Sequence, residues 1–170
     1  MADSPTVIDD FLEEEHFNKI LNLLDENIYK PIPHTAYETG GKGLYNVNFM
    51  AMLYLQKDNE HIQSEHFGLL YPLLKKLGVK NLDIARINCT VATPYPVEGA
   101  WHRDAGNKKD VDTTAVFYLN TNNGGTKFKG GEFIQSRANR VVIFPEPTLH
   151  AGVWCTDTKL RYVLNLNYET

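Results

Sequence analysis

The sequence has only two cysteines, Cys89 and Cys155, no long apolar run and no concentration of basic residues. Two cysteines without metal-type spacing build neither a disulfide framework nor a cysteine-based zinc site, and their expected state is buried, reduced thiol. No segment reaches the length of a membrane span, and the acidic stretch from Met1 to Phe17 lacks the features of a signal peptide. A reducing, cytoplasmic compartment is therefore the default expectation, with no membrane partner. Lys and Arg number 17 against 21 Asp and Glu, and no basic run exceeds the pair seen at Lys108-Lys109. Chains that grip phosphate backbones present a basic face, so nucleic acid is not an expected partner. Repeats, low-complexity tracts and Pro-, Gly- or Ser-rich linkers are also missing, which at 170 residues leaves one domain, 1–170, with a monomer as default. A 42% hydrophobic content is enough for a packed core and excludes wholesale disorder.

Periodicity divides the chain near residue 80. Phe17, Ile20, Leu21 and Leu24 fall at i, i+3, i+4 and i+7 and predict a helix over about 13–26. A second helical stretch runs from Asn59 towards Leu77, with Phe67, Leu70, Leu74 and Leu77 on one side. Pro72 either kinks it or opens a new helix, and Gly78 supplies a stop. Residues 1–80 thus read as a helical support region. From Leu82 the period becomes two: Ile87, Cys89 and Val91 alternate with Arg86, Asn88 and Thr90. Further β-type runs are Thr113–Asn120, Glu132–Gln135, Arg140–Phe144 and Leu160–Tyr168, with turns at Asn122–Gly125 and Gly130-Gly131. The fold class expected is α+β and mainly β: a double-stranded β-helix, or jelly roll, over 82–168, with N-terminal helices packed on one sheet. A polar strand face inside such a barrel is costly unless it lines a wet site, so Asn88 and Thr90 point to a pocket there.

Of six histidines, His16, His61 and His66 fall in predicted helical stretches and His34 beside prolines, none with companion ligands nearby. Surface or internally satisfied histidine is the expected state of all four. His102 and Asp104 differ, because a spacing of two on a β-type segment sends both side chains to one face. His150 follows 46 residues after Asp104, in another β-type run. Two imidazoles and one carboxylate with open positions opposite suit a non-haem ferrous site. Arg161 comes eleven residues after His150, at the start of the apolar strand Tyr162–Leu166. A buried guanidinium needs an anion, and a dicarboxylate held by its fork would satisfy it.

These segments, taken in order, resemble the prolyl-hydroxylase-like branch of the 2-oxoglutarate- and Fe(II)-dependent dioxygenases. The resemblance is carried by Trp101-His102-Arg103-Asp104, Ala115–Asn120, Gly130-Gly131-Glu132-Phe133, Asn139–Pro145, His150-Ala151-Gly152 and Arg161, and the opening Thr6–Leu12 is similar to the family's start. It implies an enzyme with His102, Asp104 and His150 on iron and Arg161 on the distal carboxylate of 2-oxoglutarate. Dioxygen would be the second cosubstrate and ascorbate a candidate reductant. Tyr118 corresponds to a tyrosine that touches the same carboxylate, although a core aromatic is its other reading. Asn165 sits where some relatives have a cosubstrate-contacting threonine. Trp154 either walls the substrate side or packs, and the charged segment from Ala105 to Asp112 is read as a mobile rim.

Many collagen-type relatives have lysine where this chain has Arg161, so the resemblance is to arginine-bearing members. Relatives that repair alkylated DNA carry an arginine at the position of Asn167, which again argues against nucleic acid. Related halogenases lack the carboxylate that Asp104 supplies, so hydroxylation is the expected reaction. The substrate implied first is a peptidyl residue such as proline, then a free amino acid or other small metabolite. A non-catalytic jelly-roll binding module is the alternative of another class.

Overall fold

The computed structural model describes residues 4–32, 48–57, 60–104 and 111–170. Residues 105–110 of the rim predicted over 105–112, Lys108 and Lys109 among them, and His34 lie outside the described residues. The strands are β1 (Thr6–Ile8), β2 (Lys30–Ile32), β3 (Asn48–Lys57), β4 (Glu60–Gln63), β5 (Asn81–Val91), β6 (Thr113–Tyr118), β7 (Gly125–Phe128), β8 (Phe133–Gln135), β9 (Arg140–Pro145), β10 (His150–Val153) and β11 (Leu160–Glu169). Two short helices, α1 (Glu14–Leu21) and α2 (Tyr71–Leu77), carry the remainder with 3-10 turns beside them.

The larger sheet runs β1-β9-β6-β11-β5-β3-β2, with β4 hairpinned on β3, and the smaller runs β10-β7-β8. All pairs are antiparallel. Residues 98–102 bridge to β10 through Glu98–Val153 and His102–His150, which extends the smaller sheet on its far side. This is the jelly roll that the strand pattern predicts, with the helices covering one face of the larger sheet.

The strict alternation of β11 sorts its side chains between two interiors. Leu164, Leu166 and Tyr168 enter a core with Phe17, Ile20 and Leu23 of the first helical segment and Leu70, Leu73 and Leu74 of the second. Residues of opposite parity face the smaller sheet, where Val163 joins Val116, Tyr118, Phe128, Ile134, Val142 and Phe144. Arg161 and Asn165 share that inner parity. β5 behaves likewise, sending Ala85 and Ile87 to the helices and Arg86, Asn88 and Thr90 inward.

Three expectations need correction. Residues 1–80 are not simply helical, since β1 to β4 lie there. In β3 the sequence Asn48-Phe-Met-Ala-Met-Leu-Tyr-Leu uses helix-favouring Met, Ala and Leu, and a register shift between Met52 and Tyr54 breaks its alternation. The second helical stretch is replaced at its start by β4, so His61 sits on a strand and not a helix. Pro72 opens α2, the second of its two predicted outcomes, and Gly78 ends it in the left-handed conformation at φ 72°. β7 also replaces part of a predicted turn, because Gly125 is a strand residue.

Asp9 ties β1 to the β8–β9 connection through Arg137 and Arg140. Its hydrogen bond with Arg140 outweighs the opposing effect of burial and holds its carboxyl below the ordinary value of 3.8. A depressed folded-state value stabilises above the unfolded one and is lost as pH falls through the folded one. Asp9→Asn is expected to cost about 1 kcal/mol at pH 7, discounted for a carboxylate 35% exposed, and much less at pH 3. Urea denaturation of both proteins at the two pH values measures the difference.

Candidate metal centre and adjoining cavity

His102, Asp104 and His150 converge, and their candidate ligand atoms all lie within 4.8 Å of one another. His150 begins β10 and is buried. His102 is placed opposite it by the paired backbone hydrogen bonds of the 102–150 bridge. In each histidine Nδ1 is 3.0 Å from the carbonyl two residues earlier, Ala100 for His102 and Thr148 for His150. A carbonyl only accepts, so each Nδ1 carries the proton and each Nε2 presents a lone pair. Both Nε2 atoms face Asp104, at 3.7 Å from Oδ1 for His102 and 3.4 Å from Oδ2 for His150. This pre-set tautomer is what a metal ligand requires. Phe144 packs edge-on against the His150 ring at 4.8 Å and fixes its tilt.

The electrostatics are tightly coupled. Burial opposes the Asp104 charge, but the adjoining His150, His102 and Arg86 hold its carboxyl well below the usual range. Burial pushes His102 down, with His150 adding to it, whereas Asp104 overcomes burial at His150 and raises it. Two further side chains reach the carboxylate: Asn165 Nδ2 donates to both oxygens at 3.3 Å, and Arg86 Nη2 stands 3.8 Å from Oδ1.

A cavity of about 350 Å³ opens beside the triad between the two sheets. Its floor is a register of rows across three strands. Asn48, Thr90 and Arg161 make one row, Met50, Asn88 and Val163 the next, and Arg86 and Asn165 the third. Arg161 is 6% exposed. Its Nε donates to Ser136 Oγ and its Nη2 to the Gly125 carbonyl, both at 3.0 Å, and its Cζ lies 5.6 Å from the centre of the Tyr118 ring. Among the described residues no carboxylate pairs with it. Burial lowers its proton affinity, so the charge is held at a cost.

Of the residues singled out from sequence, His102, His150, Arg161, Asn165, Asn88, Thr90 and Trp154 all line the cavity, with Asp104 contacting three of them or their neighbours from behind. Tyr118 is fully buried behind the wall, hydrogen-bonding Thr126 Oγ1 at 2.8 Å and donating to the Ile134 carbonyl at 3.1 Å. Asn165 is turned to Asp104. Trp154 follows β10 and packs against Gly99, where a Cβ would meet its ring at 2.9 Å. Cys89 and Cys155 are free and buried, as expected. Sequence reading missed Asn48, Met50, Thr126 and Arg86 as lining residues. Arg86 alone carried a signal, its place on the polar face of β5.

Gly125 lets β7 pass close under this site. A Cβ there would lie 2.3 Å from the Ile134 carbonyl oxygen, a backbone atom that cannot yield cheaply. Gly125→Ala is therefore expected to lose about 1–3 kcal/mol of stability. Gly152→Ala, at a position with nothing within 4 Å, stays within about 0.5 kcal/mol. Parallel urea melts test the contrast.

No family model matches the chain, and no curated protein matches it by sequence. Solved structures do match. A 2OG-Fe(II) oxygenase family oxidoreductase from Burkholderia pseudomallei aligns with TM-score 0.72 at 13% identity, over 97% of this chain and 84% of that one. A viral collagen prolyl hydroxylase from Paramecium Bursaria Chlorella virus-1, solved with 2OG, aligns with TM-score 0.65 at 14% identity, over 99% and 97%. A Trichoplax adhaerens prolyl hydroxylase, solved with a hypoxia inducible factor oxygen degradation domain peptide, gives 0.63 at 13%, over 97% and 83%. The fold is thus the one found in 2OG-Fe(II) oxygenases. Among these, the architecture is shared with prolyl hydroxylases. No helix among the described residues is long and apolar enough to cross a membrane.

Proposed function

We propose that the protein is an Fe(II)- and 2-oxoglutarate-dependent dioxygenase that hydroxylates an unactivated C–H bond. The observation that carries this is the buried Arg161, without a carboxylate partner among the described residues, in the same cavity as a His-Asp-His cluster with both Nε2 lone pairs preset. The donor set fits a ferrous ion: two neutral imidazoles and one carboxylate kept ionised. The cavity fits an acid as well, because beside the Arg161 guanidinium the Thr90 hydroxyl, a donor, is buried without a partner among the described residues.

His102, Asp104 and His150 would hold the iron, and Arg161 the distal carboxylate of 2-oxoglutarate, with Tyr118 and Thr126 backing the guanidinium. When bound, the iron and cosubstrate supply dioxygen activation, converting 2-oxoglutarate to succinate and carbon dioxide while one oxygen atom enters the substrate. The chain's part is positioning and dryness. Asn165 anchors the Asp104 carboxylate, the Ala100 and Thr148 carbonyls fix the imidazoles, and Phe128 and Phe144 keep water from His150. Trp154, Asn88 and Thr90 face the remaining space and are assigned to substrate.

Similarity to prolyl hydroxylases, one of them solved with a peptide, supports a peptidyl residue such as proline as substrate. The second reading, a free amino acid or small metabolite, is favoured by the extra cationic group in the cavity, Arg86. The test is oxygen-dependent conversion of 2-oxoglutarate to succinate by iron-loaded protein, with and without ascorbate. Proline-rich peptides and free amino acids are then screened for the mass gain of one oxygen atom. Succinate formation and a modified substrate support the reading; their absence in folded, iron-loaded protein opposes it.

A further inference from the structure

The geometry points to a second anion subsite: Arg86, with Asn88 beside it, binds a carboxylate on the substrate. This rests on the oxygenase reading above and adds the substrate's chemical class to it.

Arg86 and Arg161 lie on one floor but at opposite ends. Arg161 pairs with Thr90 and Asn165 with Arg86, so the two arginines are two side-chain rows apart on neighbouring strands. Four residues of strand span about 13 Å. Arg161 turns to Ser136 and Gly125 while Arg86 turns to Asp104, so a cosubstrate carboxylate held by Arg161 is bound at the other end of the floor from Arg86.

Within the protein the guanidinium of Arg86 is engaged at one end only, by a long ion pair to Asp104. Its Nη2 is 3.8 Å from Asp104 Oδ1, beyond hydrogen-bond length, and its buried Nε has no partner among the described residues. Asp104 also accepts the two Asn165 Nδ2 contacts, so Arg86 is not its sole partner. The side chain is 30% exposed, and it lines the cavity.

Charge gives the ligand its sign. Among the described residues, the charges at the cavity are Arg161, Arg86 and Asp104. A ferrous ion and a 2-oxoglutarate dianion cancel one another, and Asp104 offsets one guanidinium. One positive charge remains uncompensated in a partly dry pocket, and such a charge favours an anionic guest strongly. A planar fork with neighbouring amide donors suits a carboxylate. That carboxylate could belong to a free amino or organic acid, or to an acidic side chain or C terminus of a peptide.

The test uses anaerobic protein loaded with Fe(II) and 2-oxoglutarate, read through the visible charge-transfer band of that chelate and not through turnover. Free amino acids and short carboxylic acids are titrated beside their primary amides. Glutamate-containing peptides are titrated beside their glutamine counterparts, each with free and amidated C termini. At least one acid is expected to perturb the band, with its amide about ten- to a hundredfold weaker. Arg86→Gln should erase that preference while 2-oxoglutarate affinity stays within about twofold, and Arg86→Lys should restore part of it. A response to free acids assigns the carboxylate to a metabolite, and one confined to peptides assigns it to a protein substrate; both support the subsite. Amides binding as well as acids would overturn it, as would an intact band that no acid perturbs. It is also overturned if Arg86→Gln weakens iron or 2-oxoglutarate as much as it weakens the acid, since Arg86 would then only position Asp104. A wild type without any band removes the oxygenase reading itself.

Discussion

Arg161→Met is expected to abolish 2-oxoglutarate binding while leaving the apoprotein as stable as the wild type, or more stable. A buried guanidinium held by one hydroxyl and one carbonyl, with no carboxylate among the described residues, carries a desolvation cost that those neutral bonds only partly offset. Met replaces it with an apolar side chain of similar length beside Tyr118 and Val163. The cosubstrate, in contrast, loses the one charge-assisted partner that the described residues offer at that end of the cavity. Breaking such a buried pair costs about 3–5 kcal/mol, a loss of more than about a hundredfold in affinity. The two effects separate cleanly in thermal denaturation with and without 2-oxoglutarate. An arginine serving only the fold would give the reverse: a large loss of stability in the apoprotein and nothing specific to the ligand.

Asp104→Ala is expected to release iron and end turnover. The variant keeps two imidazoles whose tautomers are set by Ala100 and Thr148, but loses the one anionic donor, whose charge is preserved by His150, His102 and Arg86 despite burial. Removing even an outer-sphere partner of a metal ligand costs about 10–100-fold in metal affinity. Loss of the carboxylate ligand itself should exceed that range. Anaerobic equilibrium dialysis against Fe(II), followed by metal analysis, reads it directly. Retention of iron at wild-type affinity would place the metal elsewhere.

Much of this centre was legible before any coordinates, and the reason is local. His102 and Asp104 are two positions apart, and the strands that follow have a period of two with glycine turns, so the candidate ligands, the cavity and the barrel are inferable from short-range pattern. Arg161 stood out because an arginine opening an apolar strand has to be explained. What escaped depends on long-range register. Asn48 and Met50 reach the cavity only because β3 adds itself beside β5, and its Met, Ala and Leu residues hide the alternation. Arg86 was visible as polar, but its approach to Asp104 follows from the pairing of β5 with β11, where it sits opposite Asn165. Thr126 was hidden behind a glycine pair that reads as a turn, although Gly125 is there to let a strand pass the Ile134 carbonyl. Tyr118 was assigned to ligand contact by resemblance, whereas its hydroxyl is spent on Thr126 and Ile134.

The most direct measurement is an anaerobic titration of Fe(II)-loaded protein with 2-oxoglutarate, followed through the visible charge-transfer band, with His102→Ala and Arg161→Ala beside it. The account predicts a saturable band in wild type, none in His102→Ala, and a need for more than about a hundredfold extra 2-oxoglutarate in Arg161→Ala. No band in well-folded, iron-supplemented wild type would contradict it and leave a jelly-roll binding module as the better description of this chain.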